Sequence, residues 1–146
     1  MLDSPLPTVH WLTRLQHHGC RLTAPRRVVV EIVAQSRRLL SPAEVFKLAR
    51  KRYRALGLVT VYRTLEKLEV IGLVQRVHQP GGCHTFIAAA DGHQHLLICQ
   101  SCGLAEFFSG DHLEGLMNVI GKTSGYTIKE HWLQLFGLCA ECKKND

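Results

Sequence analysis

No stretch of this sequence approaches the roughly 18 consecutive apolar residues that a membrane-spanning helix needs. Its first residues, MLDSPLPTVHW, lack a basic segment followed by an apolar one, so no secretory signal is expected. It has no H-E-x-x-H, the spacing that sets two metal-binding imidazoles and a general base on one helix face. It shows no internal repeat and no low-complexity segment. The first half is poor in acidic residues and cysteine: residues 1–82 hold 14 Lys and Arg against 5 Asp and Glu, a net +9, and a single cysteine, Cys20. These absences point away from membrane, secreted and metalloprotease classes. The expectation is a cytoplasmic protein that is not an enzyme and whose cysteines are thiols or metal ligands, not disulfides.

What is present divides in two. The chain has 146 residues, 46% hydrophobic and 21% charged, enough for one large domain or two small ones and too apolar for wholesale disorder. Residues 83–146 hold 4 basic and 7 acidic residues, a net −3, and five of the six cysteines. A basic first half suits a polyanionic partner, and a cysteine-rich second half suits metal. Domain bounds are expected at 1–87 and 93–146, with the small residues 88–92 as hinge.

Along the first half, a helix over 8–18 closes at Gly19 and a second starts after Thr23. Ser41-Pro42-Ala43-Glu44 is a capping box with proline at the first helical position. That third helix is expected to bury Val45, Leu48 and Ala49. Thr60 is expected to cap a fourth helix, on which Val61, Leu65, Leu68 and Ile71 form one apolar stripe. Two extended runs around Gln79-Pro80-Gly81-Gly82 then read as a hairpin. Helices followed by a hairpin make a winged helix-turn-helix. In the second half the order is β-β-α-β, with a helix over 111–123 burying Leu113, Leu116, Met117 and Ile120, and strands at 126–128 and 131–135. The fold class is α+β: a winged helix followed by a small ββαβ domain.

Three constellations carry chemistry. Cys99-x-x-Cys102 and Cys139-x-x-Cys142 supply four thiolates, each pair aimed at one point by a tight turn, which is a closed tetrahedral zinc site. Cys83, His93 and His95, with a carboxylate from Glu69 or Glu106, make a mixed set suited to a second transition metal. The outer face of the fourth helix offers Thr60, Tyr62, Arg63, Thr64 and Lys67 to a DNA major groove. Arg26, with Arg21, Arg27 and the run Arg50-Lys51-Arg52-Tyr53-Arg54, supplies phosphate contacts.

The segments Gly57-Leu-Val-Thr60-Val-Tyr62-Arg63-Thr-Leu65, His93-Gln-His95-Leu-Leu-Ile-Cys99-Gln-Ser-Cys102-Gly103 and Cys139-x-x-Cys142 resemble the ferric uptake regulator family of bacterial metal-sensing repressors. The resemblance implies a homodimer on palindromic operator DNA, a structural zinc on the four cysteines and a regulatory metal at the hinge. Iron- and peroxide-sensing members place a histidine before the third helix, where this chain has Arg38-Leu39-Leu40-Ser41. Zinc-sensing members use a cysteine between wing and hinge, matched by Cys83, and Glu69 and Glu106 match their acidic positions. A third metal site of the family keeps only Glu114 and His131 here, since Gly92 and Gln94 fill its other positions, and is expected to be absent or degraded. The reading is a zinc-responsive repressor with two zinc ions per chain, one structural and one regulatory. The alternatives are an iron- or peroxide-responsive repressor, a zinc enzyme and a zinc-stabilised interaction module.

Overall fold

The computed structural model describes residues 8–110 and 112–145. The chain divides into two compact units, one up to Ala89 and one from Ala90.

In the first unit, α1 (Thr8–His17) turns Trp11 and Leu15 inward, four residues apart on one face. Gly19, at φ +74°, ends it as a left-handed residue and donates to the Gln16 carbonyl. Helix α2 (Ala24–Gln35) buries Val29, Val30, Val33 and Ala34. Helix α3 (Pro42–Arg52) opens on the expected capping box: Ser41 Oγ accepts from the Glu44 N–H at 3.2 Å, and Glu44 Oε2 accepts from the Ser41 N–H at 2.7 Å. Leu48 differs from expectation, being 39% exposed, because Pro42, Val45 and Ala49 define the inward stripe of α3.

Helix α4 (Leu58–Val70) is capped by Gly57, not by Thr60. The chain is already extended at Gly57, so helical hydrogen bonding begins there: the Thr60 N–H donates to the Gly57 carbonyl at 3.1 Å. Val61, Leu65 and Leu68 are fully buried, with Thr64 beside them. Removing the Leu68 side chain to alanine from such a site costs about 2–5 kcal/mol. The Arg14 guanidinium donates to the Ile71 carbonyl at 2.8 Å, tying α1 to the end of α4.

The hairpin pairs β1 (Val74–His78) antiparallel with β2 (His84–Ala88) in the register Val74↔Ala88 to His78↔His84. Leu40, just ahead of α3, exchanges two backbone bonds with Phe86 and anchors the hairpin to the helices. Cys20 is buried in the core these elements share.

The second unit is a three-stranded sheet in the order β4-β3-β5. Strand β3 (Gln94–Cys99) runs antiparallel to β4 (Ala105–Ser109) and parallel to β5 (Gln134–Gly137). A parallel return needs a crossover, which α5 (Leu113–Ser124) supplies. The expected start of this helix at Asp111 lies outside the described residues. Two expectations are corrected here. No residue of α5 is buried, with Leu116 51% and Ile120 42% exposed, because the unit's own sheet does not cover that face. Residues 126–133 hold no strand, because pairing with β3 begins only at Gln134. A short helix, α6 (Ala140–Lys144), follows.

Candidate metal centres and nucleic-acid interface

The parallel register brings the two Cys-x-x-Cys pairs together. Cys99 ends β3 opposite Gly137 of β5, and the Gln100 N–H donates to the Gly137 carbonyl at 2.8 Å. Past that point the segment after β3 makes a knuckle at Gly103, φ +75°, and the segment after β5 starts α6 past Cys139. The four sulfurs lie within 4.8 Å of one another. Cys102 Sγ and Cys139 Sγ are 3.8 Å apart. Thiolates about 2.3 Å from a tetrahedral zinc stand about 3.8 Å apart, so the cage fits that ion.

Electrostatics support the same assignment. Backbone N–H bonds from Cys102, then Cys139, pull the Cys99 thiol down to about 6 against the upward pull of burial. The Cys139 N–H reaches its sulfur at 3.3 Å. Cys142 is pushed up to about 12: a hydrogen bond with Ser101 pulls it down, but those with Cys139, Cys102 and Cys99, together with burial, outweigh it. The Cys142 thiol thus resists ionisation beside the other sulfurs unless a divalent cation compensates it.

At the other end of β3 three imidazoles converge. His93 precedes the strand, His95 lies in it, and His131 arrives just before β5, where the Leu96 N–H donates to the Leu133 carbonyl at 3.3 Å. His93 Nε2 and His131 Nε2 are 3.0 Å apart, and His131 Nε2 and His95 Nε2 are 3.3 Å apart. Ligands about 2.0–2.1 Å from a tetrahedral zinc stand about 3.3–3.4 Å apart, so this trio also fits a metal ion through its Nε2 atoms. His95 is buried, and that burial, followed by the charges of His93 and His131, holds its imidazole below the usual histidine value. That shift favours the neutral imidazole, the form that binds metal.

On α4 the buried Val61, Leu65 and Leu68 leave the opposite face free, and Tyr62, Arg63 and Lys67 are exposed on it. An exposed helix face of this kind, beside a wing, is what a major groove accepts.

The profile of the ferric uptake regulator family matches residues 17–136. The chain belongs to the ferric uptake regulator family. It is thereby a metal-dependent, DNA-binding transcriptional regulator, with an α+β winged-helix fold and a four-cysteine cluster. A ferric uptake regulation protein of Legionella pneumophila is 33% identical over 131 residues, which are 89% of this chain and 96% of its own. The solved ferric uptake regulator of Vibrio cholerae matches at TM-score 0.67 and 30% identity, over 87% of this chain and 98% of that one. A zinc uptake regulator solved with zinc and DNA shares the fold at TM-score 0.68 and 21% identity, over 96% of this chain and 97% of that one.

Within this ferric uptake regulator chain, the other residues singled out by sequence fall in varied places. Cys83 is exposed between the wing strands. Glu69, near the end of α4, is held by Arg76 of β1: Arg76 Nη2 donates to Oε2 at 2.8 Å and Nε to Oε1 at 3.1 Å. Glu106 lies in β4 opposite Leu97 and is not one of the three clustered ligands. Thr64 does not face outward as expected; it is buried, and its hydroxyl donates to the Thr60 carbonyl at 2.7 Å. Arg26 donates to the Arg21 carbonyl, and Arg52 pairs with Glu31. By sequence His131 goes with Glu114 in a residual third site; the structure instead groups it with His93 and His95, and Glu114 is not in that cluster. His131 lies 36 residues from His95, and only the β3–β5 register brings the two together.

Proposed function

We propose that this chain is a zinc-responsive repressor that binds palindromic operator DNA as a homodimer when its regulatory ion is bound. The observation that carries the reading is the pairing of two distinct metal-fitting sets on one sheet, a closed thiolate cage and an imidazole trio. The cage takes a structural zinc. All four of its positions are sulfur, so its role is to hold the C-terminal strand to the knuckle. The second set takes the regulatory ion on His93 and His95, with His131 now added. Cys83 and a carboxylate, Glu69 first and Glu106 second, are its further candidate ligands, and two drawn from these and His131 complete a four-coordinate ion with His93 and His95. Imidazole and thiolate donors in a small coordination number suit zinc.

Residues 1–87 act as the DNA-binding domain, 88–92 as the hinge and 93–146 as the dimerisation and metal domain. Arg63 and Tyr62 read or grip the groove, with Thr60, Lys67 and Arg26 as supporting contacts. The apolar residues that α5 leaves uncovered, Leu116, Val119 and Ile120, with Trp132 beyond it, support a second copy as their cover. Metal binding fixes the spacing of two recognition helices, and palindromic half-sites demand that spacing. A coupling free energy of about 1–3 kcal/mol suffices to switch operator affinity.

One observation favours an iron-responsive reading instead: the relatives at 28–33% identity are named ferric uptake regulation proteins. Metal analysis before and after mild chelation tests the two-ion reading. Two zinc ions per chain should fall to one, with loss of operator binding that returns on adding zinc. A chain that holds one zinc throughout and binds operator equally in both states contradicts it.

A further inference from the structure

Gly110 follows β4 and opens the turn into α5, where its carbonyl accepts the Leu113 N–H at 2.9 Å. Among the described residues six glycines adopt left-handed backbone, Gly19, Gly72, Gly82, Gly92, Gly103 and Gly125, and Gly110 is not one of them. Its backbone conformation is therefore open to other residues. What excludes a side chain is space. A Cβ built on Gly110 stands 2.1 Å from His95 Nε2 and 2.3 Å from His95 Cδ2, with Leu113 Cδ1 at 3.1 Å. The atom it strikes is the one that faces His131 Nε2 at 3.3 Å.

We propose that Gly110 is a positioning residue for the regulatory ion: the side chain it lacks is the room that His95 Nε2 needs to face the metal. This rests on the reading that His93, His95 and His131 hold that ion. Carbon and nitrogen in ordinary contact sit about 3.5 Å apart, so a methyl group at 110 requires a shift of about 1.4 Å. Metal–ligand distances tolerate about 0.2 Å. The ring has little freedom to yield. It is 2% exposed and packed against Phe108, His93 and His131, with ring centroids 5.5, 4.9 and 5.0 Å away. The alternative, with the ring held and the methyl intruding, fills space about one zinc–nitrogen bond length from Nε2. Either way the site loses an imidazole while every ligand residue remains in the sequence.

The test compares the full-length wild type with Gly110→Ala and Gly115→Ala. A Cβ at Gly115 meets nothing within 4 Å, so that variant controls for glycine loss in the same unit. Zinc is titrated against a chromophoric chelator, and the histidine ring nitrogens are followed by NMR in metal-free and zinc-loaded protein. Gly110→Ala should keep the cysteine-bound zinc, bind the second zinc at least tenfold more weakly, and shift the His95 ring signals even without metal. Gly115→Ala should match wild type. If Gly110→Ala lowers thermal stability, His95→Ala decides the cause. In that background there is room for the methyl group, so Gly110→Ala should add no further loss. Wild-type affinity for the second zinc in Gly110→Ala, or an equal loss in the His95→Ala background, overturns the proposal. If the wild type takes up no second zinc, the regulatory reading itself fails. The metal-free His95 signals then still decide whether Gly110 sets that ring.

Discussion

Substituting Arg76 by glutamine separates two roles for Glu69. The Arg76 guanidinium grips both oxygens of Glu69, and this bond is the first cause that holds Arg76 above its ordinary value. Both side chains remain 34% exposed. Solvent screening therefore limits the pair to about 0.3–1 kcal/mol. If Glu69 serves as a ligand, it must leave Arg76 first, and that cost lowers metal affinity. Each 1.4 kcal/mol is a factor of ten, so Arg76→Gln should tighten binding of the second zinc about two- to fivefold. Glutamine preserves much of the aliphatic packing over Phe86, whose ring centroid lies 5.2 Å from Arg76 Cζ, while removing the charge. The assay is competition against a chelator of known affinity at low and high salt. The gain should shrink at high salt, where the ion pair is screened. Unchanged zinc affinity in both Arg76→Gln and Glu69→Gln would remove Glu69 from the ligand set and pass its place to Glu106.

Three further outcomes follow from the same geometry. Cys139→Ser should lose the tightly held zinc and lower the melting temperature of the C-terminal unit, since zinc binding in such cages is worth on the order of 10 kcal/mol of folding; unchanged metal content and melting would refute the cage. Arg63→Ala should cost about 1–3 kcal/mol of operator binding while keeping both metals, since Arg63 is exposed on α4; wild-type binding in a mobility shift would show that α4 does not read the operator. Val119→Glu places a charge on the uncovered face of α5, where Val119 is 58% exposed. Light scattering should then report a monomer, and a persistent dimer would show that another face makes the interface.

Much of the fold was legible because its signals are local. Ser41, Pro42 and Glu44 specify a helix start within four residues, and Pro80-Gly81-Gly82 specifies the turn between β1 and β2. The four cysteines were legible because a two-residue spacer fixes chelation before any tertiary structure forms. What escaped depends on competition between near neighbours or on partners distant in sequence. Thr60 has the chemistry of a cap, but the extended Gly57 already starts the helix. Thr64 has a polar side chain, yet a bond to the Thr60 carbonyl satisfies its hydroxyl inside the core. The apolar stripe of α5 is visible in sequence, but periodicity does not say what covers it. Glu69 and Arg76 lie seven residues apart across the end of a helix, a pairing that no period predicts. His131 and Gly110 reach His95 only through the register of β3 with its two neighbours.

The most direct test of the central claim is operator binding by the intact protein, measured by mobility shift while free Zn²⁺ or free Fe²⁺ is buffered. The account expects a sharp operator shift as zinc rises, no comparable response to Fe²⁺, and loss of the zinc response in Cys83→Ser and in His95→Ala with the cysteine-bound zinc retained. A wild-type protein that binds operator with Fe²⁺ and ignores Zn²⁺ would contradict the zinc assignment. Cys83→Ser and His95→Ala proteins that both keep the wild-type zinc midpoint would contradict the regulatory site.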